Sequence, residues 1–284
     1  MPDAKRTTRR TLATAGASFA DVNGARLFYE VSGEGPPLVL LHAGIADHRM
    51  WDHQVDEFAR RYRVIRYDLR GFGKSDLPPG PFSMRDDLYR LLTMLDVDRA
   101  HLVGVSMGGG IAVDFALDHP DMAGALVLVG ASLGGRKPSD EYRRLSEATL
   151  AAVGGDETHR RVEAPLRMWV DGPSRTSDQV DPGVRARVKD MIVGNLGRPW
   201  DKATPQPLDP PAIARLGEVR APTLVLVGEL DVPDILATAD LLASGIPGAR
   251  KAVLPGVAHM PNMEMPAEFN RAVLAFLEEA DRPR

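Results

Sequence analysis

Residues 99–117 have the sequence RAHLVGVSMGGGIAVDFAL, which divides into an apolar run, a tight turn and a helix-forming run. The turn is a Gly-x-Ser-x-Gly motif in which Gly104 and Gly108 flank Ser106. A strand, such a turn and a helix in this order form a nucleophile elbow, which lifts a serine hydroxyl above the end of a sheet. A side chain at either glycine would collide with the neighbouring strand or helix where the chain folds back. Ser106 is therefore the candidate nucleophile.

Apolar runs typical of buried strands recur on both sides of this unit, and segments with helical spacing separate them. Strands are predicted near residues 26–31, 38–41, 62–68, 99–103, 125–129, 222–228 and 251–254, and helices near 51–60, 83–95, 109–117, 235–244 and 266–279. This alternation predicts an α/β fold with a doubly wound, mostly parallel sheet.

The alternation stops between residues 134 and 211, where the chain is richer in charged residues, glycine and proline. Helical fragments are predicted there near residues 140–153, 160–170 and 184–195. An insertion at this point would lie over the carboxyl ends of the strands, where ligands bind in open α/β sheets. The predicted organisation is a disordered basic extension (1–18), a core (19–133 and 212–284) and a helical lid (134–211).

The composition excludes several classes of site. The 284 residues include no cysteine, which removes disulfides, thiolate metal sites and a cysteine nucleophile. A net charge of −4 and a pI near 6.0 predict neither a nucleic-acid nor a membrane partner. We expect a cytoplasmic protein, although residues 8–12, TRRTL, weakly resemble a twin-arginine export signal. The sequence does not indicate the oligomeric state.

A serine hydroxyl needs a general base, and His259 is the histidine whose position suits this role. It follows the last predicted strand through residues 255–258, PGVA. His259 is therefore expected in a loop at the carboxyl edge of the sheet, on the same side as Ser106. The other six histidines fall at positions that favour structural or solvated roles.

The imidazole needs an acid that fixes its tautomer and stabilises its charged form. The candidates are Glu229, Asp231 and Asp234, which follow a predicted strand. Asp231 is preferred because a short bend precedes it, so that its carboxylate can turn over the strand end. Asp234 is expected to cap the next helix, and Glu229 directly abuts the strand.

Stabilising an oxyanion requires two backbone N–H donors. The amide of Met107 is one candidate, because the residue after Ser106 opens a helix and its N–H has no partner within that helix. The second donor is expected in the loop of residues 42–45, HAGI. Gly44 is preferred and Ile45 is the alternative, since the sequence does not fix the register. His42 is predicted to brace the loop.

Five motifs together resemble the α/β-hydrolase fold superfamily, over residues 19–277. They are LHAG at 41–44, YDLRGFGKS at 67–75, the elbow, GELD at 228–231 and GVAHMP at 256–261. The elbow and the MWD at 50–52 are similar to those of aryl esterases and 3-oxoadipate enol-lactonases. The resemblance implies a catalytic triad in the chain order Ser106, Asp231, His259.

The resemblance also implies supporting roles. Asp68 and Arg70 would brace the turn that follows their strand. The family usually has His-Gly where this chain has His42-Ala43, and this departure bears on which residue donates to the oxyanion.

The activity implied is hydrolysis of a small-molecule carboxylic ester or lactone through an acyl-serine intermediate, with no metal or cofactor. Haloalkane dehalogenases and epoxide hydrolases of this fold use an aspartate nucleophile, so Ser106 argues against both. Carbon–carbon bond hydrolases share the serine triad and remain an alternative, although their oxyanion loop is typically longer. A receptor-like binding protein that keeps the triad is a second alternative.

Substrate specificity is expected to reside in the insertion. Its Met168, Trp169 and Trp200 either line an apolar pocket or form the core of the lid.

Overall fold

The computed structural model describes residues 16–282, which form a large sheet covered by helices on both faces. The strands are β1 (Gly16–Val22), β2 (Ala25–Ser32), β3 (Pro37–Leu41), β4 (Arg63–Tyr67), β5 (Gly80–Phe82), β6 (Ala100–Val105), β7 (Ala123–Val129), β8 (Ala203–Pro205), β9 (Thr223–Gly228) and β10 (Arg250–Leu254). The helices are α1 (Asp52–Phe58), α2 (Met84–Met94), α3 (Met107–Asp118), α4 (Asp140–Ala152), α5 (Glu157–Pro165), α6 (Pro182–Gly194), α7 (Pro233–Gly245), α8 (Pro261–Glu264) and α9 (Pro266–Ala280).

Eight strands form the main sheet, in the order β1-β2-β4-β3-β6-β7-β9-β10. Strand β2 pairs antiparallel with both of its neighbours, and every pair from β4 to β10 is parallel. The predicted mostly parallel sheet is therefore confirmed. Its parallel strands all end at the same edge, so residues that follow them in sequence meet there.

The core has two layers because successive side chains of each strand point to opposite faces. In β6, Leu102 belongs to the apolar cluster that α2, α3 and α7 cover. Val103 and Val105, on the opposite face of the strand, belong to the cluster that α1 and α9 cover. A strand buried on both faces must be apolar at every position, which explains the continuous hydrophobic runs of the sequence.

The insertion between β7 and β9 holds α4, α5 and α6. The single helix predicted near residues 160–170 is instead α5 followed by a π-helical segment, Leu166–Asp171. Pro165 ends α5, and its missing N–H removes one hydrogen bond of the α-helical pattern, which favours a local change to the wider π form. The insertion is also tied to the core by an unpredicted ladder between β5 and β8.

The main sheet begins at Gly16, three residues before the predicted start of the core. The remaining predicted basic extension and its twin-arginine-like motif lie outside the described residues. Within residues 16–282, no helix has the length and apolar character needed to cross a membrane.

Asp114 on α3 offers a test of the packing beneath the elbow. Its Oδ1 is buried without a hydrogen-bond partner among the described residues, and burial raises the pKa of its carboxyl to about 6. Because the unfolded chain ionises near 3.8, ionisation destabilises the fold as pH rises above that value, and the full cost is present above about 6.

We therefore expect Asp114→Asn to raise the free energy of unfolding by about 1 to 2 kcal/mol at pH 7.5 and to change it little near pH 4. Denaturant unfolding at both pH values measures the difference. The exposed Asp121→Asn serves as a control. An equal effect of Asp114→Asn at both pH values would contradict this explanation.

Candidate active site

Ser106 joins β6 to α3 in a strained backbone conformation, with φ 55° and ψ −113°. Positive φ is uncommon for residues other than glycine, so the surrounding structure must hold it. The Ser106 amide donates to the carbonyl of Val129 on β7 at 2.9 Å. Its carbonyl accepts from Gly110 at 3.1 Å and from Ser132 at 3.0 Å. The predicted strand, turn and helix are therefore present, and three backbone bonds fix the turn.

The two glycines of the motif allow the close approach that the sequence predicted. A Cβ at Gly104 would lie 2.4 Å from the carbonyl carbon of Gly108. A Cβ at Gly108 would lie 2.3 Å from the carbonyl oxygen of Leu41, at the end of β3. Both distances involve backbone atoms that cannot move aside, so neither position tolerates a larger residue.

Asp231 and His259 form a buried pair at the same edge of the sheet. Nδ1 of His259 lies 2.8 Å from Oδ2 of Asp231, and the side chains are 2% and 1% exposed. The other carboxylate oxygen, Oδ1, accepts from the amide of Val232 at 2.7 Å. Both oxygens of Asp231 are thus occupied. Nδ1 of His259 is engaged as well, which leaves Nε2 for another partner.

Gly130, which follows β7, shows where this pair lies relative to Ser106. A Cβ on Gly130 would lie 3.0 Å from Nδ1 of His259 and 3.1 Å from Oδ2 of Asp231. The residue before Gly130 is Val129, whose carbonyl binds the Ser106 amide. The His–Asp pair therefore lies against the end of the strand adjacent to the one that carries Ser106. Sequence reasoning missed Gly130, although it directly follows a predicted buried strand.

The two rival acids have other partners. Glu229 accepts a hydrogen bond from the amide of Gly256 at 2.9 Å. Asp234 was expected to cap α7, and this prediction was wrong, because Val232 occupies the N-cap position. The Asp234 carboxylate instead accepts from the amide of Ser139 at 2.9 Å and from its hydroxyl, at the start of α4.

The environment of Asp234 favours its charged form. Burial alone would raise the pKa of the Asp234 carboxyl, but the hydrogen bonds from Ser139 and the charge of Arg136 lower it overall. Asp234 therefore anchors the insertion to α7.

The loop after β3 brings the candidate oxyanion donors next to α3. It turns between Ala43 and Ala46, whose amide donates to the Ala43 carbonyl at 3.0 Å. A Cβ on Gly44 would lie 2.7 Å from Cε of Met107, so Gly44 faces the first residue of α3. Gly44, Ile45 and Met107 all line one cavity. The amide of Met107 has no partner within α3, because the first N–H groups of a helix lack one.

His42 braces this loop, as the sequence predicted. Its Nε2 accepts from the amide of Leu69 at 2.9 Å, and its Nδ1 donates to the carbonyl of Ala43 at 2.8 Å. Burial lowers the pKa of His42, which keeps the ring neutral and so able to accept the Leu69 bond. With both ring nitrogens engaged, His42 has no free nitrogen to act as a second base.

Asp68 and Arg70 also stabilise the turn after β4. One oxygen of Asp68 accepts from the amide and from Nδ1 of His48, at 2.8 and 2.7 Å, and the other accepts from the amide of Lys74 at 2.8 Å. Burial alone would raise the pKa of Asp68, but its contact with His48 lowers it overall. Arg70 forms two hydrogen bonds of 2.7 Å with the buried carboxylate of Asp87. These contacts support the predicted structural role.

A cavity of about 720 Å³ opens beside Gly44 and Met107, and this size suits a small-molecule ligand. Most of its wall comes from the insertion. Its lining residues there are Leu150, Glu157, Arg160, Arg161, Ala164, Pro165, Ile192, Asn195, Leu196 and Trp200. Trp200 thus lines the cavity, in contact with Phe72 at a ring distance of 5.4 Å.

Trp169 occupies a different place, which the sequence did not predict. Its ring centroid lies 4.6 Å from that of His259, and Tyr142 packs on it at 6.2 Å. Met168 is buried in the insertion. The sequence left open whether the two tryptophans line a pocket or form the core of the lid. An irregular segment such as residues 166–171 has no periodicity from which the direction of a side chain could be predicted.

Gly130 provides a test of the site geometry. Gly130→Ala should displace His259, because the new methyl group would lie 3.0 Å from Nδ1 in a backbone with φ 48°. We expect changed ¹⁵N shifts of the His259 imidazole. Gly248→Ala is the matched control, since Gly248 has φ 71° but open space around it.

Both substitutions should cost about 1 kcal/mol of stability through the positive φ. Only Gly130→Ala should move the imidazole signals. Unchanged His259 shifts in Gly130→Ala would show that the histidine does not lie against the end of β7.

Comparison with known proteins identifies the family of this chain. The model of the alpha/beta hydrolase fold family matches residues 36–266. A 2-hydroxy-6-oxononadienedioate/2-hydroxy-6-oxononatrienedioate hydrolase of Paraburkholderia phymatum is 34% identical, over 89% of this chain and 91% of that protein. A protein of Azorhizobium caulinodans whose name proposes carbamate hydrolysis is 31% identical, over 93% of this chain and 99% of that one.

Among solved structures, the enol-lactonase of Burkholderia xenovorans LB400 has a TM-score of 0.73 and 28% identity, over 92% of this chain and 100% of that chain. The family match covers most of the chain, and the fold and motifs coincide with it. The chain therefore belongs to the α/β-hydrolase fold family.

Proposed function

We propose that this hydrolase cleaves a carboxylic ester or lactone through an acyl-serine intermediate. The observation that carries the proposal is the buried pair of Asp231 and His259 at the sheet edge where Ser106 is held in a strained turn. The nearby amide of Met107, which has no partner within α3, adds a donor for an oxyanion. The similarity to an enol-lactonase structure also supports this substrate class.

The proposed reaction has two halves. Ser106 Oγ attacks the carbonyl carbon while Nε2 of His259 takes its proton, and the oxyanion accepts hydrogen bonds from the amides of Met107 and Gly44. His259 then protonates the departing alcohol, which leaves the acyl-serine. Water, deprotonated by His259, attacks the acyl group, and collapse of the second tetrahedral intermediate releases the acid and restores Ser106.

Asp231 supports this cycle through the tautomer of His259. Its bond to Nδ1 places the ring proton there, so that Nε2 is the basic nitrogen in the resting enzyme. When His259 becomes an imidazolium, the buried carboxylate stabilises the charge. A buried imidazolium without such a partner would be disfavoured.

Carbon–carbon bond hydrolysis is the second candidate, because a relative that is 34% identical is named as a hydrolase of 2-hydroxy-6-oxononadienedioate, a compound without an ester or amide bond to cleave. Carbamate hydrolysis is a third, from the name of another relative. A matched panel of aryl esters, lactones, carbamates and vinylogous 1,5-diketones distinguishes them by relative kcat/KM. A receptor-like protein would bind one of these compounds without turnover.

The nucleophile is tested by Ser106→Ala. We expect turnover of an aryl ester to fall by about 10⁶-fold while the fold remains intact, since only the Oγ is lost. Ser132→Ala is the control, because Ser132 binds the Ser106 carbonyl at the same turn without being the proposed nucleophile. Hydrolysis that survived in purified Ser106→Ala would exclude the proposed mechanism.

The acid is tested by comparing Asp231→Asn with Asp234→Asn. Asp231→Asn should lower kcat by about 10⁴-fold, because the amide no longer selects the correct tautomer. Asp234→Asn should lower stability by about 1 kcal/mol through its contacts with Ser139, with a much smaller effect on kcat. Kinetics and thermal unfolding of both variants measure these effects. If Asp234→Asn were the inactive variant, the assignment of the acid would be wrong.

A further inference from the structure

We propose that Trp169 positions His259 for proton transfer, and that the segment of residues 166–175, which carries Trp169, is tied to the loops of the acid and the base. This inference rests on the proposed function, in which His259 is the general base. A residue of the insertion would then help to orient the base, whereas the sequence analysis placed every residue of the triad in the core.

The first observation is the contact between the two rings. The centroids of Trp169 and His259 lie 4.6 Å apart with an angle of 41° between the ring planes. His259 is only 2% exposed. Asp231 holds the ring at Nδ1, and Trp169 covers it from the insertion. The indole thus limits tilting of the imidazole and screens its bond to Asp231 from water.

The second observation is a half-buried ion pair that ties the segment to the His259 loop. Arg175 contacts Glu264 at 2.6 Å, and the side chains are 10% and 7% exposed. Arg175 also donates to the carbonyls of Asp171, at 2.8 Å, and Val170, at 2.9 Å. Glu264 in turn accepts from the amide of Ala258, the residue before His259, at 3.1 Å. One ion pair therefore joins the end of the π-helical segment to the loop of the base.

The third observation is the packing at Gly172, which ends the π-helical segment. A Cβ there would lie 2.9 Å from Cβ of Ala258 and 2.9 Å from the carbonyl oxygen of Leu230. These two residues precede His259 and Asp231 in sequence. The segment therefore touches the loops of both the acid and the base.

The opposite side of the segment is also held. Asp171 is fully buried and binds Nε of Arg185, on α6, at 3.0 Å. Residues 170–175, which follow Trp169, are therefore held both to α6 and to the loops of the acid and the base. These contacts can keep the indole next to His259 during the reaction, and an aromatic ring beside a charged imidazole is favourable.

The experiment compares Trp169→Ala and Trp169→Phe with the wild-type protein. In ¹H NMR spectra, the Nδ1 proton of His259 should give a low-field signal in wild type, because Asp231 binds it and Trp169 excludes water. Trp169→Ala should broaden or abolish this signal through exchange, and Trp169→Phe should retain it. Val193→Ala is the control, since Val193 is exposed on α6 of the same insertion and lies outside the cavity lining.

The kinetic part uses p-nitrophenyl acetate, chosen for its small acyl group. Trp169→Ala should lower kcat about 10- to 100-fold with little change in KM, as expected when a reacting group is misplaced. Val193→Ala should leave kcat for this ester near the wild-type value, because Val193 is exposed on α6 and does not line the cavity. A fall in activity without a change in the NMR signal would overturn the positioning role, as would a wild-type protein without a protected Nδ1 proton.

The tether is tested by a double variant, Arg175→Met with Glu264→Gln, which avoids leaving one charge buried alone. It should also broaden the Nδ1 signal. Arg187→Met is the control, because Arg187 joins the insertion to the core through Asp52 at 3.0 Å, away from the 166–175 segment. Because the NMR signal requires no turnover, its outcome is independent of whether the protein hydrolyses esters. A sharp signal in the double variant would show that the tether does not hold the base.

Discussion

The close approach of α3 to the end of β3 is the constraint on which the rest of the site depends. It brings the backbone of Gly108 so near the Leu41 carbonyl that a Cβ would lie 2.3 Å from it. Ser106, between the two glycines of the elbow, has φ 55°. The start of α3 and the loop of Gly44 are neighbours, since a Cβ on Gly44 would lie 2.7 Å from Cε of Met107.

The parallel sheet supplies the second half of the arrangement. Ser106 and His259 are 153 positions apart in sequence. They follow β6 and β10, while Gly130 and Asp231 follow β7 and β9, and all four residues lie at the same edge of the sheet. Gly130 shows how tightly they meet, since a single added carbon would contact both His259 and Asp231. The site is therefore assembled mainly by backbone packing, and the side chains that support it, such as His42, hold loops rather than contact the cavity.

The sequence predicted the features that follow from a local motif or from the convergence of strand ends in a parallel sheet. The elbow was predictable because its glycines and flanking runs lie within nineteen residues, and the Asp231–His259 pair because strand ends converge in a parallel sheet. The role of Asp234 was not predictable, because its partner Ser139 is 95 residues away. Trp169 lies in a π-helical segment that contacts the His259 loop through Arg175 and Glu264, which are 89 positions apart, so no local periodicity encodes its place.

The structure of the protein after reaction with an alkyl fluorophosphonate would show which residue is the nucleophile and where its oxyanion lies. We expect phosphorus bonded to Ser106 Oγ, its oxygen within hydrogen-bond distance of the amides of Met107 and Gly44, and Nε2 of His259 beside Oγ. Modification of another residue, absence of reaction, or an oxygen directed away from the start of α3 would contradict the proposed mechanism.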